Sequence, residues 1–132
     1  MPVELTIAAS GTQPAGPAWE RYARLELWPT WSPYLRRAEP AGARLSPGLT
    51  GRVFGPLGVR VRYVVDEVDE AERRWAWTVR AGPVRVALRH GVDATSSGSR
   101  TWLTLRGPAP VILAYAPLAR WALHRLVSMP IS

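Results

Sequence analysis

The stretch Trp28-Pro29-Thr30-Trp31-Ser32-Pro33 decides how this chain is organised. Proline removes a backbone hydrogen-bond donor, and it favours extended geometry in the residue before it. The stretch therefore predicts a rigid corner that ends a helix, and its tryptophans give that corner a large apolar surface. We expect the corner to close one end of a core or of an apolar cavity.

The residues on either side of this corner predict one strand and short helices. Residues 3–7 alternate between apolar and polar side chains, which is typical of a half-buried strand. A loop over residues 10–17 follows, and the apolar spacing in residues 18–27 predicts a short helix. A serine that can cap a helix then precedes a proline suited to its first position, so residues 32–37 favour one further helical turn.

Residues 51–106 predict an antiparallel sheet. Successive runs in this region alternate apolar and polar side chains, and short turns rich in glycine, proline, aspartate or serine separate them. Such a meander buries one face and exposes the other to water.

The C-terminal region predicts a long helix from near Pro117 to about Ser128. Residues 111–116 are expected to form an irregular or kinked start to it, because Pro117 disrupts a regular helix. The predicted apolar stripe of this helix is Leu118, Ala122, Leu123, Leu126 and Met129. Since one helix must cover the apolar face of a wide sheet, we expect the sheet to curl round it and to leave a cavity between them.

The composition predicts a single domain over residues 1–132, with 47% hydrophobic residues available for a core. No run is long and apolar enough for a membrane span, and the N-terminus lacks the layout of a signal peptide. The absence of cysteine excludes a disulfide framework and a thiolate metal site. We therefore expect a cytoplasmic monomer or homodimer that needs no metal or other cofactor.

The layout resembles the superfamily of START, Bet v 1 and polyketide-cyclase-like domains, also called SRPBCC. The sequence features that carry this resemblance are the Trp-Pro corner, Pro47-Gly48-Leu49-Thr50-Gly51, Trp75-Ala76-Trp77, Leu88-Arg89-His90-Gly91-Val92 and Tyr115-Ala116-Pro117-Leu118-Ala119-Arg120. The resemblance implies an α+β helix-grip fold: a curved antiparallel sheet of six or seven strands wrapped on a long C-terminal helix, with two short helices after the first strand. Members of the superfamily include lipid carriers, hormone receptors and aromatase/cyclases.

His90 is the strongest candidate for a residue that orients a ligand or transfers a proton. The alternation of its strand places it on the interior face, where an imidazole can orient the polar end of a ligand or act as a general acid or base. The alternative is a core histidine that is hydrogen-bonded to a neighbour, and this is the interpretation we prefer. Its expected partners are Tyr63, Thr101 or Tyr115.

A set of interior aromatic and aliphatic residues is predicted to bind the ligand, although the tryptophans among them could instead fill the core. The set is Trp31, Tyr63, Trp75, Trp77, Leu88, His90, Leu103 and Tyr115. We expect ligand access between the turn at residues 55–58 and the segment at residues 107–110.

The net charge is +7, and all 17 basic residues are arginine. The absence of lysine indicates GC-rich coding bias more than selection for nucleic acid. The arginines predicted on the outward face of the sheet are Arg60, Arg62, Arg74, Arg80, Arg85, Arg89, Arg100 and Arg106. This face either docks an acidic partner, an anionic membrane or nucleic acid, or is simply solvated, with arginine stems covering apolar surface and stacking on Trp102. We prefer the solvated face.

The function predicted first is binding, transport or sequestration of a small hydrophobic or amphipathic ligand, such as a lipid or an aromatic polyketide, between the sheet and the C-terminal helix. The alternative is a cyclase or dehydrase that uses His90 as its acid or base. The acidic residues at positions 66–72 match no calcium-loop spacing and are explained by turn chemistry.

Overall fold

The computed structural model describes residues 2–128 and is built on a seven-stranded antiparallel sheet. The elements are β1 (Pro2–Gly11), α1 (Ala15–Ala23), α2 (Trp28–Trp31), β2 (Arg37–Glu39), β3 (Thr50–Phe54), β4 (Arg60–Asp69), β5 (Arg74–Ala81), β6 (Val84–Thr95), β7 (Gly98–Pro108) and α3 (Ala109–Val127). The strand order is β1-β7-β6-β5-β4-β3-β2, so the first strand pairs with the last. This is the predicted helix-grip architecture, with short helices after β1 and a long helix at the C-terminus.

The predicted alternation of the sheet is confirmed by its register. Trp75 lies opposite His90, and His90 lies opposite Leu103, which in turn faces Ile7 on β1. All four side chains are buried. In the next row Arg89 pairs with Ala76 and Thr104, and its side chain is exposed on the opposite face of the sheet. Burial of one face against the helices is therefore what fixes this register.

Helix α3 is continuous and begins at Ala109. The predicted start near Pro117 was therefore wrong by eight residues. Pro110 lies in the first turn, where no N–H is needed, so the helix can start directly after β7. Pro117 lies on the exposed side, where water can satisfy the carbonyl group that loses its helical partner. Leu118 is also 41% exposed and does not belong to the buried stripe.

The residues of α3 that are buried are Ile112, Ala119, Ala122, Leu123, Leu126 and Val127. Met129, which the sequence assigned to the same stripe, lies outside the described residues. Across residues 2–128, no helix is both long enough and apolar enough to cross a membrane.

The Trp-Pro corner forms its own helical turn and does not follow directly on a longer helix. Helix α1 ends at Ala23, a 3-10 turn covers Leu25–Leu27, and α2 then spans Trp28–Trp31. Pro29 lies in the first turn of α2, where its missing N–H has no cost. Ser32 ends this turn, so the helical turn predicted over residues 32–37 was wrong, and part of that segment enters the unpredicted strand β2.

Candidate ligand cavity

The position of α3 leaves part of the concave face of the sheet uncovered. The helix packs on β1 and β7, at one edge of the sheet. Between α3 and the strands β3 to β6 an open cavity of about 460 Å³ remains. Its walls include Val53, Val61, Val79, Ala81, Val86 and Leu88 from the sheet, and Val111, Ile112, Tyr115 and Leu118 from α3.

The cavity exists because the inward side chains become smaller along each strand. On β5 the interior series runs Trp75, Trp77, Val79 and then Ala81. On β6 it runs from His90 through Leu88 and Val86 to Val84. The large side chains lie at what we call the closed end, and the small ones lie at the opposite end, which we call the mouth. Small side chains opposite α3 leave space that no neighbouring group fills.

Tryptophan and tyrosine rings fill the closed end. Trp28 is fully buried, and its Nε1–H donates a hydrogen bond to the carbonyl oxygen of Tyr22 at 2.8 Å. Its ring centroid lies 5.2 Å from that of Trp77 and 5.8 Å from that of Trp75. Trp31 contacts Tyr22 edge to face at 5.1 Å. The corner therefore walls the interior as predicted, but it does so by packing into a solid aromatic cluster.

The inner wall of the cavity carries a pair of hydroxyl groups. The Tyr34 and Tyr115 oxygens lie 2.7 Å apart, so one hydroxyl donates to the other. Burial raises the pKa of both tyrosines, and both are therefore neutral near pH 7. The second hydroxyl keeps a hydrogen that it can donate, and both oxygens keep acceptor capacity. This pair can bind one carbonyl, hydroxyl or carboxyl group of a ligand.

His90 lies behind this pair and not in the large cavity. It borders a separate void of about 20 Å³, together with Trp31, Leu103 and both tyrosines of the pair. Its Nε2 accepts a hydrogen bond from Nε1–H of Trp77 at 3.0 Å, and its ring stacks on Trp75 with centroids 4.5 Å apart. Burial lowers the pKa of His90 to about 3.

The three predicted partners of His90 were wrong, because each bonds elsewhere. The Tyr63 hydroxyl donates to the carbonyl oxygen of Glu39, and the Thr101 hydroxyl donates to the carbonyl oxygen of Gly91. Tyr115 pairs with Tyr34, as described above. A neutral imidazole with Nε2 occupied is poorly placed for proton transfer near neutral pH.

The structure divides the predicted ligand residues into three groups. Trp77, Leu88 and Tyr115 line the large cavity. Trp31, His90 and Leu103 border the small void behind it, as do Trp77 and Tyr115. Tyr63 and Trp75 line neither space and belong to the aromatic packing.

The sequence reasoning missed the mouth half of the cavity. The residues that it did not select there are Tyr34, Leu35, Val53, Phe54, Val59, Val61, Val79, Ala81, Val84, Val86, Val111, Ile112 and Leu118. The decrease in side-chain size along β5 and β6 is visible in the sequence and could have indicated them. Tyr34 carried no such signal, because its position depends on the path of the chain after α2.

Acidic side chains at the closed end of the sheet form ion pairs with arginine. Arg44 bonds the carboxylates of Glu20 and Glu70, and Nε1–H of Trp19 also donates to Glu70 at 2.6 Å. Hydrogen bonding to Arg44 lowers the pKa of both carboxyl groups. Within residues 2–128, no group of three or more potential ligands is arranged to hold a metal ion.

A curved antiparallel sheet that grips a long C-terminal helix, with an apolar cavity between the two, defines a helix-grip protein. The chain belongs to the family described as polyketide cyclase/dehydrase and lipid transport, which matches residues 4–128. This confirms the resemblance to START and Bet v 1-like domains. No curated protein matches the chain.

Solved structures share the fold at low sequence identity. The crystal structure of Ara h 8.0201 has a TM-score of 0.76 and 16% identity, over 96% of this chain and 95% of that chain. XoxI from Bacillus cereus has a TM-score of 0.73 and 14% identity, over 95% and 93%. MLL2253 from Mesorhizobium loti has a TM-score of 0.76 and 14% identity, over 94% and 96%. At such identities the similarity establishes the fold alone.

Proposed function

We propose that this protein binds a small hydrophobic or amphipathic molecule in the cavity between β3–β6 and α3. The observation that carries the proposal is an unfilled volume of about 460 Å³ whose walls are almost entirely aliphatic and aromatic. Ligand pockets in proteins are typically apolar clefts of roughly this volume with a few polar groups inside. A well-packed core leaves no such space.

The Tyr34–Tyr115 pair supports an amphipathic ligand. Because the hydroxyls lie at the inner wall, the polar group of a ligand enters first and its apolar part extends toward the mouth. A fatty acid, a related lipid or an aromatic polyketide has this polarity. Apolar contact with the valine walls supplies most of the binding free energy, at about 25 cal/mol per Å² of buried surface.

The turn at residues 55–58 is the proposed point of access. Gly55 and Pro56 line the cavity, and Val59 on the far side of the turn is 54% exposed at its rim. A displacement of this short turn widens the mouth without breaking the core, since the aromatic cluster lies at the other end of the sheet.

Ligand retention tests this proposal directly. Protein purified from cells is examined by native mass spectrometry, and released molecules are identified after organic extraction. The same protein is then heated with long-chain fatty acids and with aromatic polyketides. A ligand at a hundred times its Kd stabilises the folded state by about 2.7 kcal/mol, which raises Tm by several degrees. An empty protein whose Tm does not respond to any such compound would overturn the proposal.

A further inference from the structure

Four arginines lie side by side across the convex face of the sheet. Arg52 on β3 pairs with Arg62 on β4, Arg62 pairs with Arg80 on β5, and Arg80 pairs with Arg85 on β6. All four are exposed. We call them the arginine row. Like charges directly opposite each other in a sheet are destabilising, so this row opposes folding unless an anion offsets it.

Within residues 2–128, no acidic side chain forms an ion pair with the arginine row. The ion pairs there involve Arg24, Arg37, Arg44, Arg74 and Arg89, and none of the arginine row. Glu39 lies opposite Arg52 in the register of β2 and β3, but its carboxylate pairs with Arg37. Arg60 adds a further unpaired guanidinium beside the row. Together with Arg52, Arg62 and Arg80 it lines a surface groove of about 240 Å³. Guanidinium groups in such a groove match phosphate oxygens.

An exposed leucine lies next to this charge. Leu57, at the tip of the β3–β4 turn, is 96% exposed and has φ of 59° and ψ of 31°. This left-handed conformation favours glycine or asparagine over a bulky apolar side chain. Val59, two residues on, is 54% exposed. The turn therefore exposes aliphatic side chains to the solvent, and Leu57 does so in a backbone conformation that glycine or asparagine adopts at lower cost.

The arginine groove and the cavity mouth are continuous. Val61 and Ala81 border both of them, so the groove begins where the cavity wall reaches the end of β4 and β5. Among the paired acidic residues, Glu20, Glu67, Glu70 and Asp93 lie at the closed end, and Glu39 lies beside the arginine row. One end of the domain thus combines positive charge with exposed aliphatic side chains.

We propose that this end of the domain docks on an anionic lipid bilayer. Leu57 and Val59 enter the interface between headgroups and acyl chains, and the arginine row with Arg60 contacts the lipid phosphates. Nucleic acid is the less suitable partner, because single strands stack on exposed aromatic rings, and the exposed apolar side chains here are aliphatic. The docking surface adjoins the cavity mouth and shares Val59 with it, and ligand binding inside the cavity is measured separately.

Vesicle cosedimentation tests the proposal. The probes are vesicles of phosphatidylcholine alone and vesicles in which about one third of the lipid is phosphatidylserine. We expect binding to the second kind only, and we expect it to weaken steeply as salt is raised, because the screening length falls from about 30 Å at 0.01 M to about 10 Å at 0.1 M.

A charge-reversal variant locates the surface. Arg62→Glu with Arg85→Glu leaves arginine and glutamate alternating along the row, which favours folding. Its affinity for phosphatidylserine vesicles is expected to fall at least about tenfold. The matched control is Arg100→Glu with Arg120→Glu, which makes the same change in net charge at exposed positions away from the mouth. Its affinity is expected to fall by less than about threefold.

Leu57→Asn tests the aliphatic contact, since it keeps every arginine and suits the left-handed backbone. We expect it to weaken vesicle binding about three- to tenfold. Binding of the neutral dye N-phenylnaphthylamine in the cavity is expected to be unchanged in both arginine pair variants, which separates docking from ligand binding. The proposal is overturned if the wild type ignores phosphatidylserine vesicles, if the control pair weakens binding as much as the row pair, or if duplex DNA or RNA binds more tightly than the vesicles.

Discussion

Nε1–H of Trp77 donates a hydrogen bond to Nε2 of His90 over 3.0 Å, and this contact determines the state of the histidine. Because Nε2 accepts, the ring proton of the neutral imidazole lies on Nδ1. That atom is buried and has no partner among the described residues. A positive charge would be desolvated at this position, which is why burial lowers the pKa of His90 to about 3.

The first prediction concerns stability against pH. The unfolded chain protonates His90 below about pH 6.5, whereas the folded protein does so only near pH 3. The unfolded state thus holds more protons between these values. The stabilising contribution of the neutral ring is complete above about pH 6.5 and declines as pH falls, by at most about 1.4 kcal/mol per unit.

His90→Phe isolates this contribution, since it keeps a ring stacked on Trp75 but cannot titrate. In urea denaturation, we expect the free energy of unfolding to fall by about 2 kcal/mol more in the wild type than in the variant between pH 7 and pH 5. Glu20 and Glu70, whose pKa values are lowered by Arg44, titrate in both proteins and cancel from the comparison. Equal losses would mean that His90 is accessible to water.

The second prediction concerns the aromatic cluster at the closed end. Trp28→Ala removes a fully buried ring that contacts Trp31, Tyr63, Trp75 and Trp77. We expect a loss of about 3–5 kcal/mol in the free energy of unfolding, measured by guanidinium denaturation.

Trp121→Ala is the control for the aromatic cluster, because that side chain is 51% exposed on α3. Its loss is expected to stay below about 1 kcal/mol. If the two variants lose the same amount, the cluster is not the main core of the domain.

The fold was predictable because the side-chain alternation and the turn residues indicate the same antiparallel sheet. Alternating side chains on β4 to β7 place one face inside, and the short turns between them allow only neighbouring antiparallel pairing. The tryptophans of the corner are large and apolar, so they were expected to be buried. The chain passes the closed end of the sheet after α1, and they are buried there. The family resemblance then supplied the helix-grip arrangement.

The limits of prediction lie where tertiary packing overrides local preference. Proline at position 117 argues against a helix, but the solvent at that face removes most of its cost. The bond from Trp77 to His90 links neighbouring strands, and its choice among several polar neighbours depends on ring orientation. The cavity depends on α3 lying over β1 and β7, a placement that periodicity does not encode.

The third prediction concerns the hydroxyl pair. Tyr115→Phe removes one hydroxyl from the cavity wall and leaves the ring in place. For a fatty acid we expect the affinity to fall about two- to tenfold, since one hydrogen bond contributes about 0.5–1.5 kcal/mol. Isothermal titration calorimetry provides the measurement.

Tyr63→Phe is the control for the hydroxyl pair. Its hydroxyl bonds the Glu39 carbonyl oxygen, and it does not line the cavity. Its fatty-acid affinity is expected to match that of the wild type. Unchanged affinity in Tyr115→Phe would place the polar end of the ligand elsewhere.

The fourth prediction fills the cavity. Val79→Phe adds a ring to the cavity wall in the uncovered half of the sheet, where the space of about 460 Å³ can accept it. We expect ligand affinity to fall at least about tenfold while the free energy of unfolding is unchanged or higher, because the added ring buries apolar surface without overpacking.

Val64→Phe is the control for the filled cavity, since Val64 lies on β4 but does not line the cavity. Ligand affinity in this variant should equal that of the wild type. Strong binding by Val79→Phe would show that the ligand occupies another site.

The fifth prediction concerns the exposed turn. Leu57 adopts a left-handed backbone that costs a residue with a Cβ about 1–2 kcal/mol, and its side chain recovers almost nothing at 96% exposure. Leu57→Asn is expected to raise the free energy of unfolding by about 0.5–1 kcal/mol and Tm by a few degrees, because asparagine tolerates this conformation. Leu57→Ala keeps the backbone cost and should leave Tm unchanged. If asparagine destabilises the protein in solution, leucine is retained at this turn for folding and not for contact with a lipid surface.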